Sequence, residues 1–158
     1  MNVGVPKTPE DRVWLRDLWV TEWGGDTMIS QGQVYHLASL EALVAKEREA
    51  LVGAVTWAID NQEAELVSLN AVIEDRGIGS ALLEAAEREA RKAGVRRMHL
   101  ITSNDNLRAL AFYQKRGYRI EALFPGAVDR ARQEKPSIPL VAENGIPIHD
   151  ELLLAKLL

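Results

Sequence analysis

The chain has 158 residues, 47% hydrophobic and 27% charged, which fits one globular domain with a real core. Its 23 acids against 19 bases give a net charge of -4, which speaks against nucleic-acid binding, a role that ordinarily carries a basic excess. Cysteine is absent, which excludes disulfides, thiolate metal sites and a cysteine nucleophile and is compatible with a reducing, cytoplasmic setting.

The segment Met1 to Pro9 has no apolar signal core, and no apolar run approaches the roughly 20 residues that a membrane helix needs, so no membrane role is expected. Thr8-Pro9-Glu10-Asp11 reads as a helix start: Thr8 caps, Pro9 suits the first turn, and the acids favour the positive end of the dipole. Val13, Trp14, Leu18 and Trp19 supply a helical stripe as far as Trp23, and Gly24-Gly25 ends it. Residues 26–40 read as a short extended piece followed by a small second helix. Leu43 to Lys46, Leu51 to Ile59 and Glu63 to Val72 read as an antiparallel meander, with turns at Glu47-Arg48-Glu49 and Asp60-Asn61-Gln62.

Gly79 to Ala93 reads as a long helix, buried through Leu82, Leu83, Ala86 and Ala90 and stopped by Gly94. Glu84–Arg88 and Glu87–Arg91 are spaced as ion pairs on its wet side. Met98 to Thr102 is a short buried strand. Ser103-Asn104-Asp105-Asn106, dense in capping residues, opens a helix from Leu107 to Arg116 that Gly117 ends. Tyr118 to Phe124 is a further strand. Pro136, Pro139 and Pro147 favour an extended path through residues 125–158, and Asp150 to Leu158 reads as either a last strand or an amphipathic helix. Its apolar residues suit a homodimer contact or the core equally. The order of elements is that of a mixed sheet with helices packed on it, α/β or α+β, in one domain over 1–158. The three histidines, His36, His99 and His149, show no metal-ligand spacing, so no metal is expected.

The most informative stretch is Val72 to Leu83, where an apolar strand passes through Arg76-Gly77-Ile78-Gly79 into the long helix. Glycines let backbone approach a ligand, and the first N–H groups of a helix lack internal partners at the positive end of its dipole. That is a cradle for phosphate. Taken alone it is equally a tight turn. The third glycine of a dinucleotide fingerprint is replaced by Leu82, and the Gly-Lys-Ser/Thr ending of a nucleoside-triphosphate loop is missing. An adenine-nucleotide enzyme is therefore a distant reading, and the loop is a phosphate cradle of some third kind.

Downstream, Asn106-Leu107-Arg108-Ala109-Leu110-Ala111-Phe112-Tyr113-Gln114-Lys115-Arg116-Gly117-Tyr118 sharpens that reading. A strand, a Gly-x-Gly helix, a strand and then Asn-x-x-Ala-x-x-Phe-Tyr-x-x-x-Gly-Tyr resembles the GNAT superfamily of acyl-CoA-dependent N-acetyltransferases, over residues 43–124. The resemblance implies a mostly antiparallel twisted sheet with a splayed strand pair and helices on both faces. It implies that the loop of Arg76, Gly77, Ile78, Gly79 and Ser80 binds the pyrophosphate of acetyl-CoA. A backbone N–H near Leu69 to Ala71 would polarise the thioester carbonyl. Asn106 matches the asparagine that contacts the cofactor arm, and Tyr113 the tyrosine that protonates the leaving thiolate. One departure stands out: the family's loop begins with Gln or Arg where this chain has Glu74, so Arg76 would supply the positive charge. The Trp23-Gly24-Gly25 segment and the proline-rich stretch from Lys135 to Ile148 resemble a bacterial subgroup whose acceptor is undefined.

The amine must lose a proton, and Glu65 is the first candidate for the base. On a strand Glu63, Glu65, Val67 and Leu69 share one face. An acid in a run ending Leu66-Val67-Ser68-Leu69 is out of place as a solvated charge, and burial there would raise its pKa toward that of a useful base. The bland alternative is a solvent-facing strand edge. Glu63 is the second candidate, while Ile101 occupies the family's other base position and cannot serve. Tyr113, with an ordinary phenol pKa of about 10, can give a proton to a thiolate; otherwise it packs helix on sheet. Asp105 reads as a helix cap. Trp23 offers an aromatic wall for the substrate, or a core side chain. His149-Asp150-Glu151 reads as a surface turn that could also line the acceptor side. The leading reading is an N-acetyltransferase acting on a small-molecule primary amine. A protein N-terminal or lysine acetyltransferase and a non-catalytic acyl-CoA-binding module stay open beside it.

Overall fold

The computed structural model describes residues 1–74 and 76–158; Asp75, in the glycine-loop stretch, lies outside the described residues. These residues form two compact units, Met1–Met98 with Leu158, and His99–Leu157.

The first unit begins with β1 (Asn2–Gly4) and α1 (Pro9–Trp23). The start of α1 is fixed locally. The Thr8 hydroxyl accepts from the Asp11 N–H at 3.0 Å, and the Asp11 carboxylate returns to the Thr8 N–H, a reciprocal capping box. Asp11 also takes Lys46 Nζ at 3.0 Å. The buried positions of α1 are Asp11, Leu15 and Trp19, one per turn. Val13, expected in the buried stripe, is exposed. The apolar positions alone allow two overlapping stripes, and packing of Leu15 and Trp19 against Val44 and Ala54 selects one. Gly24, at φ +79°, closes the helix with its N–H on Val20 O at 2.9 Å.

Residues 26–40 differ from expectation. They form a hairpin, β2 (Thr27–Ser30) and β3 (Gln33–His36), followed by one 3-10 turn at Leu37–Ser39. Gln31 and Gly32 both take positive φ, the turn geometry that matches strand twist across a two-residue loop. The meander follows as β4 (Glu41–Glu47), β5 (Ala50–Asp60) and β6 (Glu63–Ala71). Strand order in this unit is β1-β4-β5-β6, and each neighbouring pair is antiparallel. The sequence reading missed β1, which is too short for a period-2 signal. Helix α2 (Ile78–Lys92) buries Leu82, Leu83, Ala86 and Ala90 as expected. It also buries Glu87, which the sequence placed on the wet side.

β7 (Arg97–Ser103) carries the chain from the first unit into the second. The second unit holds α3 (Leu107–Lys115), β8 (Arg119–Phe124), α4 (Ala127–Glu134) and β9 (Glu151–Leu157), with β8 and β9 antiparallel. The C-terminal run is thus a strand, and α4 is a helix the sequence reading did not expect. Its start depends on a distant residue: Asp150 Oδ1 accepts the Gly126 N–H at 2.8 Å. Residues 135–149 are irregular but fastened. Arg132 donates to Ile138 O at 3.1 Å and to Pro139 O and Ile148 O at 2.8 Å each. Among the described residues, no helix is long and apolar enough to cross a membrane.

Candidate active site

Two features of the first unit hold the candidate residues. The first is the glycine loop after β6. Gly77 takes φ +74° at the N-cap of α2, and no side chain caps that helix start. A side chain at Gly77 would have space, so it is the backbone angle that calls for glycine there. The first N–H groups of α2, from Ile78 onward, have no acceptor within the helix and lie at its positive end. Arg76 reaches Glu47 Oε2 at 3.5 Å, a long contact between exposed side chains, so the guanidinium has a counter-charge and little else holding it. Glu74 and Arg76 set opposite charges on either side of Asp75.

Gly53 on β5, which the sequence reading did not single out, sets the height of this loop. A Cβ on Gly53 would meet Asn70 O at 2.7 Å and the side chains of Ile78 and Leu82 at 2.9 Å each. The first turn of α2 therefore sits directly on bare β5 backbone.

The second feature is Glu65 on β6. Its side chain is half-buried and is gripped from the hairpin. Ser30 Oγ donates to Oε2 at 2.5 Å, and Tyr35 Oη donates to Oε1 at 2.8 Å. One hydroxyl donor thus sits on each oxygen of the carboxylate. Burial, then the hydrogen bond to Glu65 and the charges of Glu65 and Asp60, push the Tyr35 phenol well above its ordinary value. It is a proton donor to Glu65 at any working pH.

The face argument for β6 is corrected by a bulge. Thr56 pairs with Ser68 and the next β5 residue, Trp57, with Leu66, so Val67 is an extra residue in β6. Glu65 lies opposite Ala58 and Leu69 opposite Val55, positions three apart on β5, so Glu65 and Leu69 point to opposite faces. Period 2 holds only while the ladder is unbroken. Leu69 and Ala71 sit in the ladder opposite Val55 and Gly53. Glu63 stands apart at the start of β6, ion-paired with Arg97 at 2.8 Å. Trp23 packs on the core cluster of α1, its ring edge-on to Trp19 at 5.5 Å between centroids.

In the second unit, Asn106 caps α3, its Oδ1 accepting from the Ala109 N–H at 3.2 Å. Asp105, expected as a cap, is not one; it accepts from Ser103 Oγ at 2.5 Å. Asn106 and Arg108 border an open cleft of about 400 Å³, whose far side is Ala142 to Asn144. Asn144 Nδ2 donates to Asp105 O at 2.9 Å, which ties that far side to the start of α3. Tyr113 stacks edge-on against Phe112 and Tyr118, at 5.1 and 5.6 Å between centroids. Burial pushes its phenol well above the ordinary value, with the Arg116 charge opposing. His149 hydrogen-bonds Asp129 through Nδ1 at 3.0 Å, and Asp129 also takes Arg132 at 2.9 Å. The bonds from His149 and Arg132 hold the Asp129 carboxyl below its usual range against some burial. This cluster fastens α4 to the segment before β9.

An antiparallel meander that runs through a glycine turn into a helix without a side-chain cap, followed by a strand and a helix begun by asparagine, is the mixed α/β order of elements that the sequence resemblance implies. The chain belongs to the acetyltransferase (GNAT) family, whose model matches residues 10–118, and is an acetyltransferase enzyme. Two uncharacterized proteins of Bacillus subtilis (strain 168) are similar over nearly the whole length. YxbD is 47% identical over 157 residues, covering 99% of this chain and 98% of its own. YdhI is 42% identical over 159 residues, covering 100% and 99%. An acetyltransferase of Bacillus subtilis solved in complex with CoA shares the fold, with a TM-score of 0.75 at 22% identity, over 99% of this chain and 98% of that one.

Proposed function

We propose that the protein transfers an acetyl group from acetyl-CoA to the primary amine of a small molecule in the cytoplasm. The observation that carries the donor is Gly77 in the left-handed conformation at the start of α2, which no side chain caps. The N–H groups of Ile78, Gly79 and Ser80 would hold the pyrophosphate. Arg76 adds charge once it leaves Glu47. Asn106 meets the cofactor arm through the part of its side chain that does not cap α3. Leu69 and Ala71 remain the proposed line of backbone along the arm, and Trp23 a wall on the acceptor side.

In the reaction, the amine nitrogen attacks the thioester carbonyl carbon, the new C–N bond forms and the C–S bond breaks. Glu65 takes the amine proton, through a water, and Glu63 is the lesser candidate because Arg97 already neutralises it. Tyr113 gives its phenolic proton to the departing thiolate and is reprotonated from solvent. Burial raises the phenol and so weakens it as an acid, while desolvation of a thiolate would raise that group too and work in favour of the transfer.

The test is release of free CoA from acetyl-CoA across a panel of small primary amines and one peptide N-terminus. General-base and general-acid groups each contribute about 10²-fold or more. Glu65→Gln and Tyr113→Phe should therefore each slow turnover by about that factor with acetyl-CoA binding intact. Full turnover in both variants would remove the assigned roles, and turnover of the peptide alone would make the protein a protein acetyltransferase.

A further inference from the structure

Hairpin β2–β3 is an expensive way to cover a sheet. A two-stranded hairpin is marginal on its own. The outward pair of this one, Ile29 opposite Val34, is exposed. What fixes it is its inner face. Met28 packs against the core cluster, and the Leu37 N–H closes the base of the hairpin on Asp26 O at 2.9 Å. A further attachment is polar: one hydroxyl from each strand, Ser30 and Tyr35, on one carboxylate. As mere glue this is poor chemistry, because removing a charge from water offsets much of what its partners return, and an apolar contact would dock the hairpin at lower cost. As a means of aiming a carboxylate it is good chemistry. One donor on each oxygen fixes the end of a side chain that otherwise turns about three bonds. A proton-accepting group must be held to within about 0.5 Å to work well.

We propose that Ser30 and Tyr35 are positioning residues that hold Glu65 for removal of the amine proton, and that hairpin β2–β3 thereby forms part of the acceptor side of the site. The inference rests on the reading of Glu65 as the base. Tyr35 keeps its proton throughout, so it orients Glu65 and does not compete with it. Ser30 and Tyr35 lie 35 and 30 residues from Glu65 in sequence and come to it because the hairpin folds back over β6.

The experiment is a double-mutant cycle read by CoA release, using the fastest amine of the panel as acceptor, or water where no amine exceeds hydrolysis of acetyl-CoA. Tyr35→Phe should lower kcat about 10-fold and Ser30→Ala about 3- to 10-fold, with the KM for acetyl-CoA within about twofold of the native protein. Ser30→Thr, which keeps the hydroxyl, should recover most of the loss. In a Glu65→Gln background neither change should cost more than about twofold further, because their effect passes through the carboxylate. Thermal melts accompany each variant, and should Tyr35→Phe unsettle the hairpin, the Ser30→Ala and Ser30→Thr pair decides the question. Full activity in the singles, or equal losses with and without Glu65, overturns the inference. Unchanged turnover in Glu65→Gln alone overturns the base assignment instead, so the two failures read differently.

Discussion

The glycine loop and the Glu65 cluster lie in the same unit and are built by opposite means. The loop is made of backbone: a left-handed glycine and the first turn of α2, with Arg76 loosely tethered at 3.5 Å. The cluster is made of side chains, Glu65 held by Ser30 and Tyr35 from a separate hairpin. A site built from main chain would tolerate side-chain drift, and Glu74 in the glycine-loop stretch is compatible with such a site. A site built from side chains depends on every contributor. Substitutions should therefore act on binding in the loop and on turnover in the cluster.

Glu65→Gln is the strongest test of that split. It should cost about 10²-fold or more in kcat while the Kd for CoA stays within about twofold. A comparable fall in CoA affinity would show that the two features are not separate. Next comes Gly53→Ala, whose Cβ would press on Asn70 O and the first turn of α2. Overpacking of this kind costs about 1–3 kcal/mol, to be read by denaturant titration, and should weaken CoA binding as α2 lifts. Gly77→Ala should cost about 1–2 kcal/mol from the left-handed angle alone, and Gly77→Asn less, since Asn tolerates that angle. A Gly77→Ala protein with unchanged CoA affinity would mean the loop is a turn and nothing more.

The smallest expected effect lies away from both features. Lys46, hydrogen-bonded to Asp11, holds its carboxyl below the ordinary range against the opposing pull of burial, and the Thr8 bonds add to this. A carboxyl depressed in the folded state contributes stability above its unfolded pKa and loses it as pH falls through the folded value. Melting temperatures of Asp11→Asn and the native protein should differ at pH 7, begin to converge below about pH 4, where the unfolded carboxyl takes up its proton, and meet only below the lower folded value. Convergence at higher pH would place the pair elsewhere.

What could be read in advance follows the same divide. Thr8 with Asp11, and Gly24, mark both ends of α1 by local chemistry, and the α1 limits follow. The meander, α2 and α3 are periodic enough to be found. The hairpin was missed because four residues per strand give no period, although Gln31-Gly32 carries the turn signal that could have shown it. Helix α4 was missed because Asp150, far along the chain, helps set its start. The bulge at Val67 is invisible in a pattern that assumes unbroken alternation, and it put Leu69 on the wrong face. Glu65 was found because an acid in an apolar run is conspicuous, while its partners were not, since an isolated Ser or Tyr carries no such signal.

The amino-acid sequence by itself determined the limits of α1 and the glycine turn that opens α2, because each depends on residues within a few positions of one another, and it showed the family through two short motifs read together. Only the tertiary structure decided which stripe of α1 is buried, where Glu65 points and what holds it. Those depend on close approach between segments distant in sequence: β5 bare at Gly53 under α2, an extra residue in β6, and a hairpin folded back over the strand. Chain order does not encode such distances directly; the packed molecule does.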